Sequence, residues 1–170
     1  GRLVLGIGFG WNIEEMENHG IDTSKRRAQV REIMLAMQAL WNQEVAEFHG
    51  AFVNFAPSYQ WPKPVQKPRP RILIGAGATP TVFQHIAEYA DGWFPVGGSG
   101  LQEALVALRR AMEERGRDPQ SLHIVPMGVM PDRAKLDHYA SLGVTETVLR
   151  VPSESRERVL PVLDAYQQYL

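Results

Sequence analysis

The 170-residue sequence contains no cysteine. That excludes disulfides, thiolate metal sites and a cysteine nucleophile. No apolar run approaches the roughly 20 residues needed to cross a bilayer, and no signal or transit pattern is visible. Neither charge dominates: 18 Lys and Arg face 19 Asp and Glu, with no block of like charges. No basic patch for nucleic acid or for a membrane surface is therefore expected, and a cytoplasmic location is. The five histidines are scattered, with no helical i, i+4 pair, so no metal site is expected. The sequence also lacks an initiating methionine, and Arg2-Leu3-Val4-Leu5 already reads as a buried strand. That start is expected of a fragment, a processed product or an incompletely expressed chain.

What is present alternates in period. Leu3 to Ile7 is β-rich and ends in glycines, as a strand buried on both faces would. A polar stretch, Trp11 to Asp22, leads to Thr23 or Ser24 as a helix N-cap. Val30, Ile33, Met34, Met37, Leu40 and Trp41 then recur at helical spacing and make one apolar face, with Arg26, Arg27, Arg31 and Glu32 mainly on the other. Glu47 to Phe55 alternates as a hairpin turning at His49-Gly50, followed by a proline-rich excursion from Pro57 to Pro70. Further strands are expected at Arg71–Ile74, Asp91–Val96, Leu122–Val129 and Val144–Val151. Helices are expected from Pro80 to about Ala90, Leu101 to Arg115, Ala134 to Leu142 and Leu160 to Leu170, the last starting near Pro161. Strands alternating with amphipathic helices predict an α/β fold with a parallel sheet. The chain reads as one domain, residues 1–170, with an ordered insertion at about 44–70.

A dinucleotide-binding reading fails on spacing. The third small residue of the glycine fingerprint would fall at Trp11, Ile13 or Pro80, where close helix–strand packing is blocked. The run Gly1-Arg2-Leu3-Val4-Leu5-Gly6-Ile7-Gly8-Phe9-Gly10-Trp11-Asn12 instead resembles the mid-chain strand and loop of luciferase-like monooxygenases. The marks after it stand in the same order: Ala39-Leu40-Trp41, His49-Gly50, Pro62-Lys63-Pro64-Val65-Gln66, Ile72-Leu73-Ile74-Gly75-Ala76 and Ala90-Asp91-Gly92-Trp93-Phe94-Pro95. Within that family the sequence is most similar to the subgroup dependent on coenzyme F420, a deazaflavin. The resemblance implies a partial (β/α)8 TIM barrel of about five βα units, corresponding to strands four to eight.

Two segments then become site candidates. Gly75-Ala76-Gly77-Ala78-Thr79 precedes Pro80, and a helix start offers free N–H groups and a positive dipole end to an anion. On the residues alone this is as well an ordinary helix cap; the resemblance implies a cradle for the cofactor phosphate. Gly8-Phe9-Gly10-Trp11-Asn12 is implied to lie against the cofactor ring and its sugar-alcohol chain, with hydrophobic packing as the alternative for Trp11. The sugar-phosphate dehydrogenase branch carries an acid after the last glycine, and Trp11 departs from it. Trp93 and Phe94 are candidate walls of the substrate pocket, or simple core. Tyr59 and Trp61 are expected to pack, Glu14 and Glu15 to form a solvated loop, and His85, Arg109, Arg110, Glu113 and Glu114 to lie on outer helix faces.

No nucleophile–base pair is visible, and the catalytic acid is not identified. The implied function is hydride transfer between F420 and a small organic substrate. FMN-dependent monooxygenation is the near alternative, and a non-catalytic structural or cofactor-holding remnant is an alternative of another class. Two open sheet edges, Leu3–Ile7 and Val144–Val151, imply a homo-oligomer that covers them.

Overall fold

The computed structural model describes residues 2–169; Gly1, which opens the first motif, and Leu170, which ends the expected last helix, lie outside the described residues. In chain order the first half comprises β1 (Val4–Ile7), α1 (Ile13–Asn18), α2 (Arg26–Asn42), β2 (Val45–His49), β3 (Asn54–Tyr59) and β4 (Arg71–Ile74). The second comprises α3 (Pro80–Tyr89), β5 (Gly92–Trp93), α4 (Leu101–Glu114), β6 (His123–Ile124), β7 (Met127–Val129), α5 (Arg133–Ser141), β8 (Val148–Leu149) and α6 (Arg156–Tyr166).

The main sheet is parallel and runs β1-β4-β5-β6. Val96 bridges Met127, and β7 pairs in parallel with β8. Spatial order therefore follows chain order. A doubly wound sheet reverses at a switch point, and no reversal occurs here. With right-handed crossovers such an order puts every helix on one face. The core agrees: Ile72, Ile74, Trp93 and Ile124 of the sheet are buried with Val82, Phe83 and Ile86 of α3 and Leu105, Leu108 and Met112 of α4. Ile86, Leu108 and Met112 are fully buried, each contributing roughly 1.5–3 kcal/mol. The alternate residues Val4, Gly6, Arg71 and Leu73 line a concavity of about 200 Å³ on the opposite face. Within the described residues, β1 is bonded to a strand on one side only, and so is β8. No helix among the described residues is long and apolar enough to cross a membrane.

Polar side chains tie the helices to the insertion. The Glu32 carboxylate accepts the N–H groups of Ala51, Phe52 and Val53 in the hairpin turn. Those bonds hold it below the usual carboxylate range, so Glu32 is not a free surface charge. Lys63 Nζ donates to the carbonyls of Leu40 and Gln43 at 2.7 and 2.6 Å, closing the end of α2. Tyr59 and Trp61, expected to pack, are instead 73% and 63% exposed. Arg109 donates to the Leu142 carbonyl and is likewise not a free surface charge.

Several boundaries differ from expectation. The stretch after Trp11 contains α1, whose Asn12 cap and acidic first turn, Glu14 and Glu15, are signals that a six-residue exposed helix offers without an apolar stripe. Neither Thr23 nor Ser24 caps α2; the cap is Lys25 without a side-chain bond, while Asp22 holds Ser24 through its N–H and Oγ. The third strand shrinks to Gly92–Trp93 and the fourth splits around Pro126, because Pro95 and Pro126 have no N–H for a ladder. The fifth is only Val148–Leu149. Helix α6 begins at Arg156 and contains Pro161. Pro161 and Glu157, whose carbonyl loses its helical partner, are both exposed, so that carbonyl is open to solvent.

Candidate functional site

β1 and β4 both end in glycines, and their parallel register brings the two ends together. Gly75 N–H donates to the Ile7 carbonyl at 2.7 Å. A Cβ on Gly8 would lie 3.5 Å from the Gly75 carbonyl oxygen, so the first loop runs directly against the second. Gly10 turns the chain with a φ of 78°, a conformation that favours glycine. Thr79 then caps α3 as expected, its Oγ1 accepting Val82 N–H at 3.3 Å, with Pro80 in the first turn. The N–H groups of Ala76, Gly77, Ala78 and Thr79 have no acceptor among the described residues.

A cavity of about 570 Å³ opens between the loops. Gly8, Phe9, Gly10 and Trp11 line one side, and Gly75, Ala76, Gly77 and Thr79 the other. Of the remaining candidates, Ala78 sits against smaller pockets. Asn12 is engaged locally, its Oδ1 accepting Glu15 N–H at 3.2 Å. Phe9 is only 9% exposed, with its ring 5.4 Å from that of His85. Trp11 does not pack; it stands 89% exposed at the cavity lip.

The structure separates Trp93 from Phe94, because alternate strand residues face opposite ways. Trp93 is buried under the helices, its ring perpendicular to Phe83 at 5.5 Å. Its Nε1 donates to the Ala76 carbonyl at 2.8 Å and so holds the glycine loop in place. Phe94 lines the concavity on the other sheet face. Trp93→Phe keeps the apolar contact and removes that bond. It is expected to cost about 0.5–1.5 kcal/mol in urea unfolding.

Arg26 and Arg27, which periodicity puts opposite the apolar face at the start of α2, belong to this cavity. Arg26 Nη1 donates to the Thr23 carbonyl at 2.6 Å, while its Nε is buried with no acceptor among the described residues. A signal for them did exist. Cations in the first turn oppose the helix dipole, so Arg26 and Arg27 are locally unfavourable where they stand. Two guanidinium groups, the start of α3 and the free loop amides give the cavity a strong preference for an anion. Among the described residues, no carboxylate or histidine lines it.

His85 lies behind Phe9 and against Tyr89, with the His85 and Tyr89 ring centroids 5.6 Å apart, and its Nδ1 is buried without a partner among the described residues. It is not the outer-face residue expected. Burial holds its proton affinity below the ordinary value, Glu88 opposes this, and Arg31 and Arg27 reinforce it. The folded chain thus binds fewer protons there than the unfolded chain. Stability is expected to be full above the ordinary histidine value near 6.5 and to fall as pH drops from there through the depressed folded value. Urea midpoints across this window, flatter in His85→Leu, check it.

The family model for luciferase-like monooxygenases matches residues 1–132. An uncharacterized protein of Mycobacterium tuberculosis is 42% identical over 160 residues, covering 92% of this chain and 55% of that protein. The phthiodiolone/phenolphthiodiolone dimycocerosates ketoreductase of the same species is 31% identical over 175 residues, covering 93% of this chain and 43% of that protein. The chain thus spans about half the length of the curated relatives it matches. Monooxygenase RslO1 from Streptomyces bottropensis shares the fold with a TM-score of 0.81 at 20% identity, covering 100% of this chain and 68% of that one. An F420-dependent secondary alcohol dehydrogenase, solved with an F420–acetone adduct, gives 0.64 at 20% identity over 84% of this chain and 45% of that one. The ordered motifs, the unreversed parallel sheet and the family match over most of the length agree, and the chain belongs to the luciferase-like monooxygenase family.

Proposed function

We propose that this chain forms strands four to eight of a (β/α)8 barrel and carries the cofactor-phosphate side of an F420-dependent oxidoreductase. The observation that supports this reading is the convergence of Gly8–Trp11, Gly75–Thr79 and Arg26/Arg27 on one cavity of about 570 Å³ at the carboxyl ends of parallel strands. Barrel enzymes place their sites at that end. The cavity fits the phosphate of such a cofactor. It offers unbonded loop amides, a buried guanidinium nitrogen without a partner, and open space beside Gly77.

Arg26 and Arg27 would pair with the phosphate oxygens, and the amides of Ala76 to Thr79 would donate to them. Gly8 and Gly10 carry no side chain of their own, so a flat ring would approach the backbone of the loop there. Trp11 and Val96 stand exposed at the opening, where a bound ring would meet them. Bound there, a deazaflavin supplies two-electron hydride chemistry toward a small organic carbonyl or alcohol. The chain's own part is binding and orientation. A proton donor for the substrate would come from outside this cavity, which has no acid. The open edges at β1 and β8 would be covered by the remaining strands or by a second copy.

The test is a fluorescence titration of the purified chain with F420 and, separately, with FMN. Saturable binding of F420 is expected, weakened about tenfold or more in Arg26→Ala/Arg27→Ala, since each lost charge-assisted bond is worth about 1.5–3 kcal/mol. Glu113→Ala, on the exposed face of α4, leaves it unchanged. Tighter binding of FMN would move the reading to flavin-dependent monooxygenation. Binding of neither would leave a non-catalytic scaffold.

A further inference from the structure

A second concavity, of about 340 Å³, lies at the other ends of the strands from the glycine loops. Arg71 opens β4, His123 opens β6, and Asp91 immediately precedes β5. Lys67, Arg69 and Arg117 complete the charged wall, so four cationic side chains face one carboxylate.

That carboxylate is already engaged. Asp91 accepts both terminal nitrogens of Arg69, at 2.5 and 3.2 Å, and the Ile72 N–H at 2.8 Å. Arg117 Nη1 donates to the carbonyls of Ile86, Ala87 and Ala90 and closes α3. Arg69 and Arg117 are therefore tied into the fold. The side chains of Lys67, Arg71 and His123 have no partner among the described residues. Glu146 lies beyond Arg71 and His123, in the neighbouring concavity, and forms no ion pair with either. Cations gathered in a half-buried space repel one another unless an anion joins them. The neighbours register it: burial first, and then Arg71, hold His123 below its ordinary value, with Asp91 and Glu146 opposing.

We propose that this concavity is a binding site for a phosphoryl dianion, free or carried on a small phosphorylated molecule, held by Arg71 and Lys67 with His123 as a third donor. A guanidinium fork matches a pair of phosphate oxygens, and Lys67 adds a point charge. The site is separate from the proposed cofactor cavity, at the opposite end of β4, and shares no residue with it.

The experiment follows histidine ring-proton resonances while inorganic phosphate is titrated into the whole chain, with chloride holding ionic strength constant. His123 is assigned by the signal lost in His123→Gln. A saturable shift of that signal, with a rise in its titration midpoint, is the expected result. Arg71→Gln or Lys67→Ala should weaken the phosphate midpoint about tenfold, as loss of a charge-assisted contact does. Lys67 is exposed, so its variant folds. Arg110→Gln, on the exposed face of α4 and away from both cavities, should change nothing. Glycerol phosphate as a second titrant separates the sources: equal or tighter binding indicates a phosphorylated molecule, and binding of phosphate alone indicates the free ion. A shift that never saturates, or that is kept unchanged in Arg71→Gln and Lys67→Ala, overturns the proposal.

Discussion

Asp91→Ala is expected to destabilise the chain by up to about 3–5 kcal/mol, the cost of stranding the buried partner of an ion pair, Asp91 itself being 27% exposed. Its partner, Arg69, has a side chain only 9% exposed and cannot move its charge into water. The same substitution leaves the Ile72 N–H without its acceptor at the start of β4. Arg69 also donates to the Tyr89 carbonyl, so β4, the end of α3 and the entry to β5 share this junction. Urea unfolding measures the cost. Replacing both partners with apolar residues of similar size should recover most of it. A single-variant loss below about 1 kcal/mol, typical of an exposed pair, would show that the junction is not a strut.

Gly77→Asp is expected to reduce cofactor affinity about a hundredfold, or roughly 2.7 kcal/mol, and to leave stability unchanged. A Cβ at Gly77 meets nothing within 4 Å and the backbone there is not left-handed, so the fold tolerates it. The added carboxylate would sit among the loop amides, facing Arg26 and Arg27 across the cavity. It would occupy the anion position and repel the incoming phosphate, an interaction of about 4 kcal/mol per charge pair at 4 Å near a protein surface before salt screening. Gly77→Ala should bind normally. Fluorescence titration and thermal unfolding of the three proteins check both halves of the expectation. Unchanged binding in Gly77→Asp would place the phosphate elsewhere.

Much of this was legible in the residues. β4, α3 with its Thr79 cap and α4 fall where periodicity and capping put them, because each carries its own local signal. Strand lengths were less legible. Pro95 and Pro126 are plain in the sequence, but whether a proline ends a strand or bends it depends on its neighbour in the sheet. Trp93 and Phe94 read as candidate pocket walls, but Trp93 and the two residues before it hold the fold. Asp91 holds Arg69, a side chain at Gly92 would collide with the His123 carbonyl, and Trp93 holds the Ala76 carbonyl. Arg26 and Arg27 were read by helical face alone, although their opposition to the helix dipole marked them as placed for something else.

The sequence by itself determined the alternation of strands and helices, the failure of the dinucleotide fingerprint at Trp11 and the family. Each depends on spacing along the chain, which composition and order fully specify. Only the tertiary structure decided that the two glycine loops meet, that two arginines from a third segment join them, and that Trp93 and Phe94 part to opposite faces. Those outcomes depend on strand register and on the side of the sheet each helix takes. Both are set by long-range packing, and no window of local sequence contains it.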